Sequence, residues 1–254
     1  MTDDQPDTAG DLAIREPPRV LVPIEVLEGQ TIPQSLVAFL APAELILLGY
    51  HVIPEQTPTE QASMQFEDRV RAAVDDIAAS FAEAHSDVEE RVAFTHDREQ
   101  TLDRVADEID ATAVLLPNPT GEIDDILVPL RDVVDVDRLA DLVSTLVDGE
   151  DKRVTLWDLT GDENTALLDQ SEQTLRDRGL ADEQIRTESD DVEFPTRAIV
   201  DRSDDFDVIV MGEGEQTLLT TVLGDTSERI ADGAVAPVLV VRRERSEDGD
   251  DEDS

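Results

Sequence analysis

The sequence predicts an α/β fold with parallel sheets, and three observations carry that expectation. Short apolar, β-rich runs alternate with runs of helical periodicity. The alternation occurs twice along the 254 residues. Each copy opens with the same strand, "RVLVPI" at 19–24 and "DILVPL" at 125–130. Both openings are apolar throughout and followed by a turn or helix, the pattern of a strand buried on both faces.

The later elements match in order. "SLVAFL" reads as a short helix before the strand "ELILLGYHV" (Glu44–Val52), which "RVTLWDLT" (Arg153–Thr160) answers in the second copy. "FEDRVRAAVDDIAASFAEAH" (Phe66–His85) has near-helical apolar spacing, and "TALLDQSEQTLRDRGL" is its shorter counterpart. "EERVAFTH" (Glu89–His96) parallels "EQIRTES" (Glu183–Ser189). "TLDRVADEIDATAVLLP" and "PTRAIVDRSDDFDVIVMG" then each give a helix, an acidic turn and a strand. Two domains are expected, at about 19–121 and 124–243. They are unequal. The first runs through "TGEIDD" straight into the second, which continues with a glycine loop, a helix "TSERIADGA" and a strand "PVLVVRR". The first domain therefore lacks a last loop, helix and strand. Residues 1–14 and 244–254 are expected to be disordered acidic tails.

Charge excludes several functions. Asp and Glu number 62 against 20 Lys and Arg, a net charge of −42, and the single lysine is Lys152. Without basic clusters, sequence-independent binding to nucleic acid or an anionic membrane is not expected. Apolar residues make up 39% of the chain, so disorder throughout is not expected either. The composition fits a folded cytoplasmic protein of a salt-adapted, haloarchaeal-type cell, where a Debye length of roughly 3 Å screens self-repulsion. No cysteine is present, which removes disulfides, thiol nucleophiles and zinc fingers. The N-terminus has no signal-peptide pattern. Ser35–Ile53 approaches the length of a membrane span, but Pro42, Glu44 and Gly49 divide it into a helix and a strand.

The strand "VIVMG", the run "GEGEQTLLTTVLG", the helix opening "GDTSERI" and the strand "APVLVV" resemble the C-terminal signature of the universal stress proteins. The resemblance is specific over Asp205–Arg242 and rests in the first half mainly on the repeated "LVP" strand. It implies two tandem sandwiches of the adenine nucleotide α-hydrolase-like architecture, each built on a five-stranded parallel sheet, the first missing its last helix and strand. Tandem members of the family form an internal pseudo-dimer, and single-domain members pair through their last strands.

Nucleotide-binding members share G-x2-G-x9-G-(S/T), because phosphates need close backbone N–H groups and a helix N-terminus. Here Gly214-x9-Gly224 is kept, but one residue instead of two separates Gly212 from Gly214, and Asp225 replaces the hydroxyl residue ahead of Thr226 and Ser227. The family's Asp after the first strand corresponds to Arg131 in the second half and Glu25 in the first. A carboxylate 4 Å from a phosphate oxygen opposes it by roughly 4 kcal/mol at an effective dielectric near 20. The glycine loop is therefore expected to be architecture, with no cofactor. The alternative is an ATP- and Mg-binding stress sensor using Val128, Leu130, Arg131, Gly212, Gly214, Gly224, Thr226 and Ser227.

No Walker loop, Rossmann fingerprint or nucleophile elbow is present. His51, His85 and His96 are isolated in sequence, and acid pairs such as Asp75–Asp76 single out no metal site. The expected function is a non-catalytic regulatory or interaction module. Its expected partner is a second copy, paired through the exposed strand Pro237–Val241, or another protein such as a transporter.

Overall fold

The computed structural model describes residues 17–26, 32–83, 88–131, 135–147, 149, 152–161, 165–213 and 236–243. The two acidic tails expected at 1–14 and 244–254 lie outside them. The described strands are β1 (Arg19–Glu25), β2 (Glu44–Val52), β3 (Val88–Thr95), β4 (Ala113–Leu116), β5 (Asp125–Leu130), β6 (Arg153–Asp158), β7 (Ile185–Ser189), β8 (Val208–Gly212) and β9 (Val238–Val241). The helices are α1 (Gln34–Leu40), α2 (Thr59–Glu83), α3 (Arg98–Glu108), α4 (Val136–Val147), α5 (Thr165–Asp177) and α6 (Pro195–Arg202).

All nine strands join one sheet in the order β3-β2-β1-β4-β9-β8-β5-β6-β7. Each neighbouring pair is parallel except β4 and β9. The fold is thus α/β with a mixed, mostly parallel sheet. The repeat read in the sequence appears as two runs of four strands, β3-β2-β1-β4 and β8-β5-β6-β7, with β9 between them.

Side-chain alternation along each strand builds a core on both faces. Val20, Val22, Ile24, Leu45 and Leu47 of the first run, with Ile126, Val128, Leu130, Val154 and Leu156 of the second, pack against α1, α2, α4 and α5 in one continuous cluster. On the opposite face, Leu21, Ile46, Leu48 and Val114 meet α3, while Leu127, Trp157, Ile209, Val238 and Val240 meet Ile199 of α6. The apolar core that the composition implied is therefore present. Among the described residues, no helix is long and apolar enough to cross a membrane.

Two helices show how local chemistry sets the boundaries. α3 starts where Asp97 accepts a hydrogen bond from the Gln100 amide at 3.0 Å, a cap worth about 1 kcal/mol. α2 starts seven residues before the periodicity at Phe66 suggests, with Ala62 N–H bonded to Pro58 O at 3.2 Å. Its first two turns contain Glu60, Ala62, Met64 and Gln65, good helix formers in which buried Ala62 is too small and isolated to mark an apolar stripe.

Helix and sheet approach closely at Gly49 of β2. A β-carbon there would lie 2.1 Å from Val74 Cγ2 of α2. Valine is stiff at χ1 and cannot swing away, so α2 sits on β2 only because position 49 has no side chain. Gly49→Val is expected to cost about 1–3 kcal/mol in chemical denaturation, with an unchanged denaturant slope.

Charge is managed along the strand starts. Arg153 of β6 pairs with Asp125 of β5, and this contact holds the Asp125 carboxyl below its ordinary range, against an opposing effect of burial. Where two acids meet, the hydrogen bond shared with Asp75 pushes Glu90 of β3 above its ordinary range. A depressed carboxyl stabilises the fold above its unfolded pKa of about 3.9, and the contribution fades as pH falls through the folded value. The stability gap between wild type and Asp125→Asn, followed by denaturation from pH 7 downward, is expected to be constant to about pH 4 and to close below it.

Candidate functional site

Open α/β sheets bind ligands beyond the carboxyl ends of their strands, where neighbouring strands are reached from opposite faces. This chain has two such places, between β1 and β4 and between β5 and β8. The repeated "LVP" motif accounts for both. β1 pairs with β4 only through Val20 and Leu21, and β5 with β8 only through Ile126 and Leu127. Pro23 and Pro129 follow two residues later. Proline has no N–H to continue the ladder on that side, so each motif ends the pairing and leaves a crevice.

The crevice between β5 and β8 gathers part of the residue set expected from sequence. Val128 and Leu130 are fully buried, with side chains in the cluster beneath α4 and α5. Only their backbone could meet a ligand, and the Leu130 carbonyl already accepts the Leu159 N–H at 2.9 Å. Arg131 is exposed at the end of β5. Gly212 ends β8, buried and paired with Val241. Glu213 continues this path, its N–H bonded to Val241 O at 2.7 Å and its carboxylate accepting the Arg243 N–H at 3.2 Å. The structure thus brings Leu130, Arg131, Gly212 and Glu213 to one rim. Gly214, Gly224, Thr226 and Ser227 lie outside the described residues.

Sequence reasoning missed Asp158 at the end of β6, which is only 2% exposed. Its carboxylate accepts from the Thr160 amide at 3.0 Å, the Thr160 hydroxyl at 2.7 Å and the Ser189 hydroxyl at 2.9 Å. These bonds satisfy the buried charge and clamp the loop after β6 to the end of β7 beside the crevice. An acid between Trp157 and Leu159, inside an apolar run, was the available signal. Trp157 itself fills the core as expected, with its indole N–H bonded to Asp190 at 2.9 Å and Arg202 stacked 4.4 Å above the ring. Glu213 brings a carboxylate and Arg131 a guanidinium to this rim, while Asp190 and Asp191 follow β7, two strands from β5.

A separate cleft of about 480 Å³ lies at the strand starts of the first run, lined by Arg19, Glu44, Glu89, Arg91 and Glu108. Its arginines are committed, Arg19 to Glu44 at 2.9 Å and Arg91 to Glu89 at 2.7 Å. Among the described residues no group of three His, Asp or Glu could hold a metal ion.

The expectation of an exposed pairing strand at Pro237–Val241 is corrected. Residues Val238–Val241 form β9, whose four side chains are at most 6% exposed. One edge is parallel to β8 through Ile209↔Val238 to Gly212↔Val241, and the other is antiparallel to β4 through Ala113↔Val241 to Leu116↔Val238. Neither edge is open to a second copy, because the first run of strands supplies no fifth strand and takes this one. Side chains reinforce the join. Arg242 reaches Asp107 at 2.8 Å and Asp103 at 3.3 Å, and Arg138 of α4 donates to Ala111 O at 3.1 Å. Asn118 donates to Ala236 O at 3.1 Å. Val240→Asp would place a charge between β4 and β8 and is expected to lower the thermal midpoint of the whole chain by about 10 °C or more, without changing the sedimentation mass of the folded fraction.

Residues 132–242 match the model described as the Universal stress protein family. The matched segment includes α4 and everything described from there to β9. No curated protein matches the sequence. Among solved structures, a universal stress protein from Archaeoglobus fulgidus DSM 4304 superposes with a TM-score of 0.57 at 16% identity, covering 89% of this chain and 98% of that one. A universal stress protein in complex with cAMP covers 46% of this chain and 95% of its own, at 20% identity and a TM-score of 0.37. A functionally unknown protein from Pseudomonas aeruginosa PAO1 covers 89% and 92%, at 17% identity and a TM-score of 0.47. The Archaeoglobus likeness is one of fold.

Proposed function

We propose that the chain is a non-catalytic regulatory module of universal-stress type, made of two tandem domains at 19–121 and 124–243 that act as one internal pseudo-dimer. The observation that supports this most is the sharing of β9. It completes the second domain's sheet and supplies the edge that the first domain lacks. A strand that would otherwise recruit a second subunit is consumed inside the chain, so the module offers its partner a pre-assembled surface. The partner is a different protein in this reading, engaged at a rim or helical face, and the cell is a salt-adapted one whose cytoplasm tolerates the net charge of −42.

The competing reading is a sensor of ATP with Mg in the β5–β8 crevice. The splayed strands and the buried Gly212 favour it. The Glu213 carboxylate at the rim opposes it electrostatically, and Arg131 stands where the family carries the Asp that helps hold the adenosine end. Calorimetric titration of Mg-ATP into the folded chain in concentrated KCl separates the two, with Gly224→Val run in parallel. No heat above dilution is expected in either protein. Stoichiometric heat in the wild type that is lost in Gly224→Val would overturn the proposal and make the chain a nucleotide sensor.

A further inference from the structure

We infer that the first run of strands carries a binding site for a small oxyanion, a phosphoryl or carboxylate group, held by Arg98 beside Tyr50. This site is separate from the β5–β8 crevice and does not depend on the partner-binding reading.

Arg98 is the first residue of α3, and its guanidinium lies 5.5 Å from the Tyr50 ring centre. Its side chain is half-buried, and its Nε is enclosed without a hydrogen-bond partner. Among the described residues no carboxylate pairs with it. That is unexpected chemistry for a chain with 62 acids and 20 Lys and Arg, in which Arg19, Arg91, Arg153, Arg178 and Arg242 each have an acidic partner. Its position at a helix start also opposes its charge to the backbone dipoles there. A half-buried guanidinium in that setting is satisfied best by an anion from outside the chain, to which its two terminal nitrogens donate parallel hydrogen bonds.

The surroundings fit a small ligand. Tyr50 is 2% exposed and holds the guanidinium from one side, with its hydroxyl 3.5 Å from Glu25 at the end of β1. His96 is exposed two residues before Arg98, its ring fixed by a 3.1 Å contact between Nδ1 and Ile53 O. Asp97, between them, turns its carboxylate to the Gln100 amide. All of these stand at the carboxyl ends of β1, β2 and β3, the rim at which such sheets take ligands. One guanidinium pairs with one oxyanion, so a single phosphoryl or carboxylate group is the class that fits.

The chain has three histidines, so its imidazole proton spectrum is simple enough to follow directly. Inorganic phosphate and, separately, acetate are titrated into the full chain at constant ionic strength. A saturable shift of the His96 signal with at least one anion is expected. Phosphate alone would assign the site to phosphoryl groups, and acetate alone to carboxylates. Arg98→Gln is expected to weaken binding by at least about tenfold, and Arg98→Lys, which keeps the charge but loses the fork, by less. Absence of a saturable shift with either anion overturns the inference. So does an affinity in Arg98→Gln equal to that of wild type, or, should that variant fail to fold, an unchanged affinity in Arg98→Lys.

Discussion

The antiparallel pairing of β4 with β9 is the constraint on which the rest of the molecule depends. It is only four residue pairs long. Without it the first run of strands would end at an unpaired apolar edge, an association hazard that folded proteins cover or charge. With it the sheet is continuous, and one apolar cluster runs under α1, α2, α4 and α5 from one end of the chain to the other. The two runs of strands thus share one sheet and one core.

Continuity also explains how so acidic a chain holds together. Repulsion acts at the surface and falls with screening, whereas the sheet strands β1, β2, β5, β6, β8 and β9 are buried almost throughout. Several arginines stand where two elements meet, as Arg242 after β9 against α3 and Arg178 after α5 against α4, with contacts at 2.8 Å in each case. Both guanidinium side chains are largely buried, Arg242 at 14% and Arg178 at 13% exposure. Their value is in placing the few positive charges where an uncompensated acid would separate neighbours.

Much of the fold was legible in the sequence, and the reason is periodicity. Strands buried on both faces leave unbroken apolar runs, and the duplicated "LVP" opening marked the start of each domain. What could not be read was pairing. A sequence shows that the first domain has no fifth strand, but whether β9 is lent to a second copy or folded back within the chain depends on three-dimensional closure. The site was legible in part. Gly212, Arg131 and the ends of β5 and β8 do come to one rim, as the motif implied. Val128 and Leu130 turn into the core, because the same alternation that builds the sheet directs them there. Asp158 was hidden because one acid among 62 attracts no notice until burial singles it out.

Because β9 runs with β8 and against β4, every strand of the first run points opposite to every strand of the second. The two proline-opened crevices consequently face away from each other, on opposite rims of one sheet. Nothing bound at one can touch what is bound at the other. The two crevices thus stand back to back, joined by the ladders of β4, β9 and β8 and by the one apolar cluster beneath α1, α2, α4 and α5.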